Sequence, residues 1–332
     1  MSALPSILRH SSPDEPGISR RRRGSGFSYH YHDGRCVRSK SVRARIDALG
    51  LPPAYSDVWI CRDAQGHLQA VGTDEAGRRQ YRYHTEWRAF RDRLKYSQLE
   101  DFGRALPRLR ARVEADLLRN RPDADMVAAA IVRLIDSAAL RIGSQQYAKA
   151  NQTFGASTLR SRHMRMEGPL LRFRFKAKGG KIVRKQIKDR TLARVLERTD
   201  DMPGYQLFTY LDEDDEVRTL KSDAVNAYIS DAAGLDDVSA KTFRTWHGSV
   251  AALAHIADAP EGVTIKAVSE AAAERLHNTP SIARTSYIHP DIIALAETDD
   301  AERADALSAL DLRRAPNALD TNEKRLVALL AR

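Results

Sequence analysis

The segment LRFRFKAKGGKIVRKQI, Leu171–Ile187, decides how this chain is read. Leu171, Phe173 and Phe175 alternate with Arg172, Arg174 and Lys176, the period-two pattern of a strand with one apolar and one cationic face. After Gly179-Gly180 a second alternating run goes from Lys181 to Ile187, and a glycine pair between two such runs signals a hairpin turn. Both flanks have helical periodicity instead. Upstream, Trp87, Phe90 and Leu94 share a face, and Val127, Ile131, Leu134, Ile135, Ala138 and Ile142 form an apolar stripe over Met126–Ala150. Downstream, helices resume at Asp189 and end in an amphipathic segment, Asn322–Ala331. A single hairpin set among helices predicts a mostly α-helical domain carrying a small sheet.

Nearer the N-terminus the period is that of strands. Val58–Cys61 and His67–Val71 flank the turn Asp63–Gly66, and Gln80–Tyr83 reads as a further strand. A short helix at about Ser41–Leu49 precedes Pro52-Pro53. Residues 1–24, rich in Ser, Pro and Arg and ending in the run Arg20–Arg23, read as a disordered basic arm. The expectation is an α+β chain: the arm over 1–24, a β-rich domain over 25–92, and the helical domain with its hairpin over 93–332.

Composition narrows the function classes. Of 332 residues, 42% are apolar and 30% charged, which fits a folded chain of two domains. The absence of a long uncharged apolar run argues against a transmembrane helix, and Met1–Pro16 lacks the apolar core of a secretory signal. Cys36 and Cys61 are too few for a disulfide framework or a zinc site, which points to a reducing, cytoplasmic setting and no metal. The net charge is +10, and residues 1–100, with 18 Lys+Arg against 11 Asp+Glu, supply +7 of it. Such an excess suits a polyanionic partner, although a solvated arginine-rich surface has the same composition.

Four stations carry candidate chemistry. Arg141 continues the spacing of Val127, Leu134 and Ala138, so it lies along the apolar stripe and needs an anionic partner, a structural carboxylate or a ligand. Lys178 sits at the hairpin tip, where a lysine is either solvated or delivered to a site elsewhere. Lys241 and Arg244 fall on one face at the start of a helix, followed at once by Trp246 and His247. In the segment Leu276–His289, Thr279 or Ser281 caps a helix opening near Pro280, and Tyr287 lies about two turns in, nine residues after Asn278.

Together and in this order, the four stations resemble the catalytic core of type IB DNA topoisomerases in their compact poxviral and bacterial form, over nearly the whole chain after residue 25. Leu140–Gly143, with Tyr147, Asn151 and Thr153–Arg160 behind it, is similar to the family's first arginine segment. Phe175–Lys181 resembles its lysine hairpin, Lys241–His247 its second arginine segment, and Ser281–Tyr287 its nucleophile segment. Ile46–Pro53, Asp57–Ile60 and Arg79–Tyr83 resemble the small domain that closes over DNA. The resemblance implies a tyrosine nucleophile, Tyr287, with Arg141, Arg244 and Asn278 on the phosphate and Lys178 as general acid. It further implies contacts to double-stranded DNA from Gln80, Tyr81, Tyr83, Lys241 and His277, a 3′-phosphotyrosyl intermediate, no cofactor, and a monomer clamping the duplex in the bacterial nucleoid. Conservation of the bond energy in a tyrosyl ester makes ATP unnecessary, consistent with the lack of a G-x-x-x-x-G-K-[ST] loop. One position departs from the viral and eukaryotic pattern. Those relatives have histidine nine residues before the tyrosine, where this chain has Asn278, with His277 beside it.

Tyrosine recombinases share the Arg–Lys–Arg–Tyr order and are the alternative. They usually carry histidine where this chain has Lys241, and their small domain is helical, unlike Phe27–His84. An architectural DNA-binding protein would account for the charge but not for Tyr287, Lys178 and both arginines together.

Overall fold

The computed structural model describes residues 4–200, 202 and 206–332, and its chain divides between Ser97 and Gln98 into two units. The architecture is α+β, as expected. The first unit is built on a five-stranded antiparallel sheet in the order β2-β1-β3-β4-β5, formed by β1 (Ile18–Arg23), β2 (Gly26–Tyr31), β3 (Ser56–Ile60), β4 (Leu68–Thr73) and β5 (Arg79–Tyr83). Helix α1 (Lys40–Ala48), capped by the Ser39 hydroxyl, buries Ile46 against Ile18, Val58, Ile60 and Ala70. Helix α2 (Thr85–Ser97) closes the unit, so the division comes after α2 rather than between 92 and 93.

The arginine run is not a disordered arm. It is strand β1, with Ile18 buried and Arg21–Arg23 exposed. The Arg20 guanidinium lies 4.2 Å from the Phe27 ring centroid and donates to the carbonyls of Leu51, Pro52 and Tyr55. Composition misleads here because backbone pairing with β2 and β3 fixes a segment whose side chains alone would leave it in water.

In the second unit, α3 (Leu99–Leu117), α4 (Ala124–Ala138), α7 (Ser222–Ala233) and α8 (Ala240–Asp258) surround one large core, with α5 (Gln145–Asn151) and α6 (Arg190–Asp200) between α4 and α7. Beyond α8 follow α9 (Ile265–Leu276), α10 (Pro280–Tyr287), α11 (Pro290–Glu297), α12 (Asp300–Ser308) and α13 (Thr321–Leu330). The expected hairpin is β7 (Leu170–Lys176) with β8 (Ile182–Lys188), in register from Leu170↔Lys188 to Lys176↔Ile182. Lys178–Gly180 make a 3-10 turn in which Gly179 and Gly180 both have φ of 78°, the left-handed region glycine tolerates. A third strand, β6 (Met164–Glu167), pairs with β7, and β9 (Thr209–Leu211) with β10 (Val217–Thr219) forms a second small hairpin; both lacked a long enough alternating run to be read. Among the described residues no helix is long and apolar enough to cross a membrane.

The helical stripe expected through Ile142 stops short. Helix α4 is buried on nearly every side and ends at Ala138, because Ala139 adopts a left-handed conformation with φ 51°. Arg141 therefore lies on an irregular segment, not on a helix face. The carbonyls of Arg141 and Ile142 turn to the amides of Ala156 and Ser157 at 2.8 and 2.7 Å. Close backbone approach holds that crossing: a Cβ on Gly155 would stand 2.5 Å from the Arg141 carbonyl oxygen.

Candidate active site

Helix α8 supplies the centre of the site. Ser239 and Thr242 cap its start reciprocally, and Phe243 and Trp246 pack edge-on against Phe102 at 5.1 and 6.0 Å between ring centroids. That anchoring turns Arg244 inward, leaving it 3% exposed. Its guanidinium donates to the carbonyls of Ala139 and, at 3.1 Å, Leu276, and its Cζ lies 4.9 Å from the centroid of the Tyr287 ring. Burial, reinforced by the charge of Arg141, lowers its pKa to about 10, so it stays cationic at neutral pH.

Asn278 follows the end of α9, where His277 takes a left-handed conformation with φ 51° and the Asn278 amide donates to Ala273 at 2.9 Å. The Asn278 side-chain oxygen accepts from the Arg141 guanidinium. This contact fixes the amide so that its nitrogen is the free end. Arg244 Nε, His277 Nε2 and Asn278 Nδ2 are all buried without a hydrogen-bond partner. Buried polar atoms are normally paired, so three orphans on neighbouring residues mark this region as a candidate site. The His277 ring is neutral at pH 7: burial, with Lys185, Arg244, Arg275 and Arg141 nearby, pushes its pKa down to about 4.

Tyr287 is the last residue of α10, whose start is capped by the Thr279 hydroxyl with Pro280 in the first turn. Burial alone would raise its pKa, but Arg244, then Arg141 and Lys241, outweigh burial and bring it below the ordinary tyrosine value. Two residues the sequence reading missed hold its main chain. Ser249 Oγ donates to the Tyr287 carbonyl at 3.3 Å and accepts from the His289 amide at 3.0 Å. A Cβ on Gly248 would stand 2.8 Å from the same carbonyl oxygen. The only trace in the sequence is a glycine inside a helix, a sign of close packing.

Arg141, Arg244, Asn278, His277 and Tyr287 are thus brought together from three separate chain segments. Lys241 is exposed on the first turn of α8, and its charge bears on Tyr287. Lys178 stands exposed in the hairpin tip; its neighbour Ala177, but not Lys178 itself, lines a small cavity walled by Arg141, Arg244 and His277. The outer face of the β6–β8 sheet sets Arg165 opposite Arg172 and Arg174 opposite Arg184. Like charges directly across a sheet repel, and for Arg172 the ion pair with Glu167 offsets this. In the first unit, Tyr81 and Tyr83 are 42% and 38% exposed with rings stacked 6.2 Å apart. Gln80 does not share their face and donates to Asp74 at 3.0 Å.

Residues 84–286 match the family described as eukaryotic DNA topoisomerase I, catalytic core. Residues 26–74 match the bacterial DNA topoisomerase IB N-terminal domain. A relative, DNA topoisomerase 1B of Acanthamoeba polyphaga mimivirus, is 29% identical over 237 residues, 69% of this chain and 69% of its own length.

Proposed function

The chain belongs to the type IB DNA topoisomerases, and from that premise we propose that it relaxes supercoiled duplex DNA through a transient ester between Tyr287 and the 3′ phosphate of one strand. The observation that carries this reading is the group of unpaired buried nitrogens of Arg244, His277 and Asn278 beside a tyrosine of lowered pKa. In the forward step the Tyr287 oxygen bonds to phosphorus as it gives up its proton, and the bond from phosphorus to the 5′ oxygen breaks. Negative charge grows on the non-bridging oxygens of the five-coordinate phosphorus. Arg244 and Arg141 are permanently cationic and can grip two oxygens at once, and Asn278 donates an uncharged hydrogen bond. Lys178, exposed at the hairpin tip, delivers a proton to the leaving 5′ oxygen. Religation reverses each step, and because the ester keeps the bond energy, it needs no ATP.

Lys241 and the β-rich first unit favour this reading over a recombinase. We take Tyr81, Tyr83, Gln80, Lys241 and His277 as further DNA contacts, Gln80 only after it leaves Asp74. The working form is a monomer, on nucleoid DNA of a bacterial cytoplasm.

The test is to trap the intermediate on a nicked duplex in EDTA without ATP and map the attached residue. An adduct joining Tyr287 to a 3′ phosphate with a free 5′ hydroxyl is expected. A different residue, the opposite polarity, or relaxation that depends on ATP would overturn the proposal.

The paired arginines of the sheet yield a second expected result. Replacing Arg174 and Arg184 by Gln lowers the slope of log K against log salt for duplex binding by about 2 if each meets a phosphate. Titration at several salt concentrations measures it, and an unchanged slope would take this face off the DNA.

A further inference from the structure

Behind the site, α4 and α8 are joined by two contacts about one helical turn apart. One is the Arg244 guanidinium on the Ala139 carbonyl; the other is His247 Nε2 on Asp136 Oδ1 at 2.9 Å. His247 follows Arg244 by three residues on α8, and Asp136 precedes Ala139 by three on α4, so the contacts form parallel rungs. Asp136 is also gripped by Arg110 through Nε at 2.8 Å and NH2 at 3.2 Å. Arg110 in turn holds Glu323 of α13, which accepts from Trp246 Nε1 at 3.2 Å. Arg275, at the end of α9 just before His277 and Asn278, donates to the carbonyls of Asp136 and Ser137 at 3.4 and 3.1 Å. The backbones that carry Arg141, Arg244, His277 and Asn278 are therefore tied to the last turn of α4.

We propose that Asp136 and His247 are positioning residues for the transesterification, their rung setting the α4–α8 register that aims Arg244 at Tyr287 and the bound phosphate. The physical reason lies in the other rung. Among the described residues Arg244 has no carboxylate partner; its direction is set by two carbonyls, Ala139 and Leu276, which stand where the ends of α4 and α9 put them. A shift along α4 moves the Ala139 carbonyl and turns the guanidinium with it. Asp136 suits this duty because it is locked in its ionised form: burial would raise its pKa, but the bonds from His247 and Arg110 outweigh burial and hold it well below the carboxylate range. Bonds to a buried charge are stronger than neutral ones, which makes the rung stiff.

This inference rests on Arg244 and Tyr287 as reacting groups, so Tyr287→Phe accompanies the test. In single-turnover cleavage, Asp136→Asn is expected to slow adduct formation about tenfold to a hundredfold, the effect of misplacing a catalytic group by a fraction of an ångström. Duplex Kd should stay within about twofold, a split between rate and binding that simple loss of folded protein does not produce. His247→Phe keeps the ring stacked near Phe243 and the Arg110–Asp136 pair intact, and should give a similar loss even if Asp136→Asn folds poorly. The double variant should be no slower than the slower single variant, since both break one rung. Wild-type rates in His247→Phe, additive losses, or losses that track Kd would overturn the proposal. An adduct formed by Tyr287→Phe would instead overturn the reading beneath it.

Discussion

Tyr287→Phe removes one oxygen and is expected to abolish relaxation and covalent adduct formation entirely. In the proposed mechanism the phenolic oxygen is the atom that bonds to phosphorus, and phenylalanine has none. Duplex binding should be nearly untouched, because the cationic groups proposed to meet phosphate, Arg141, Arg244 and Lys241, all remain. Stability should change by about 1 kcal/mol at most, as the ring still fills its place over the Arg244 guanidinium and only a hydroxyl is lost. Plasmid relaxation, adduct formation on a nicked duplex and thermal unfolding of the same preparation measure all three. Residual relaxation by this variant would show that another residue attacks.

Arg244→Lys should cost about a hundredfold to a thousandfold in the cleavage rate although the charge is kept. The guanidinium spans the carbonyls of Ala139 and Leu276 and still presents Nε unpaired. An ammonium on a flexible stem is a point charge that cannot hold both carbonyls and face the phosphate in one orientation. The variant should also lose about 1–3 kcal/mol of stability, because a buried carbonyl is left without its donor. A lysine keeps the positive field on Tyr287, so the pH dependence of cleavage should shift little while the rate falls. Single-turnover rates over a range of pH separate the two effects, and a lysine variant cleaving within about threefold of wild type would mean charge matters and the fork does not.

Much of the fold was legible because burial leaves periodic marks. The alternation in Leu171–Ile187 gave strands β7 and β8, and the glycine pair gave their turn. Lys241–Arg244 gave the start of helix α8, and Thr279-Pro280 that of α10. Where periodicity and geometry part, the reading failed. Ile142 continues the helical spacing of α4, yet a left-handed Ala139 ends the helix before it. Arg20–Arg23 has the composition of a loose arm, yet β2 and β3 recruit it into a sheet.

By itself, then, the sequence determined which residue types are present and in what order: a tyrosine, two arginines, a lysine at a glycine turn and an amide nine positions before the tyrosine. It also determined an α+β architecture, since a change of apolar period along a chain needs no knowledge of contacts. Only the tertiary structure decided that Arg244 is aimed by the carbonyls of Ala139 and Leu276, that Arg141 turns the Asn278 amide, and that Ser249 holds the main chain of Tyr287. Those contacts join residues 32 to 137 positions apart. Three of the four acceptors are backbone carbonyls, identical at every position in a sequence, and they become specific only when helix ends bring particular ones to particular side chains.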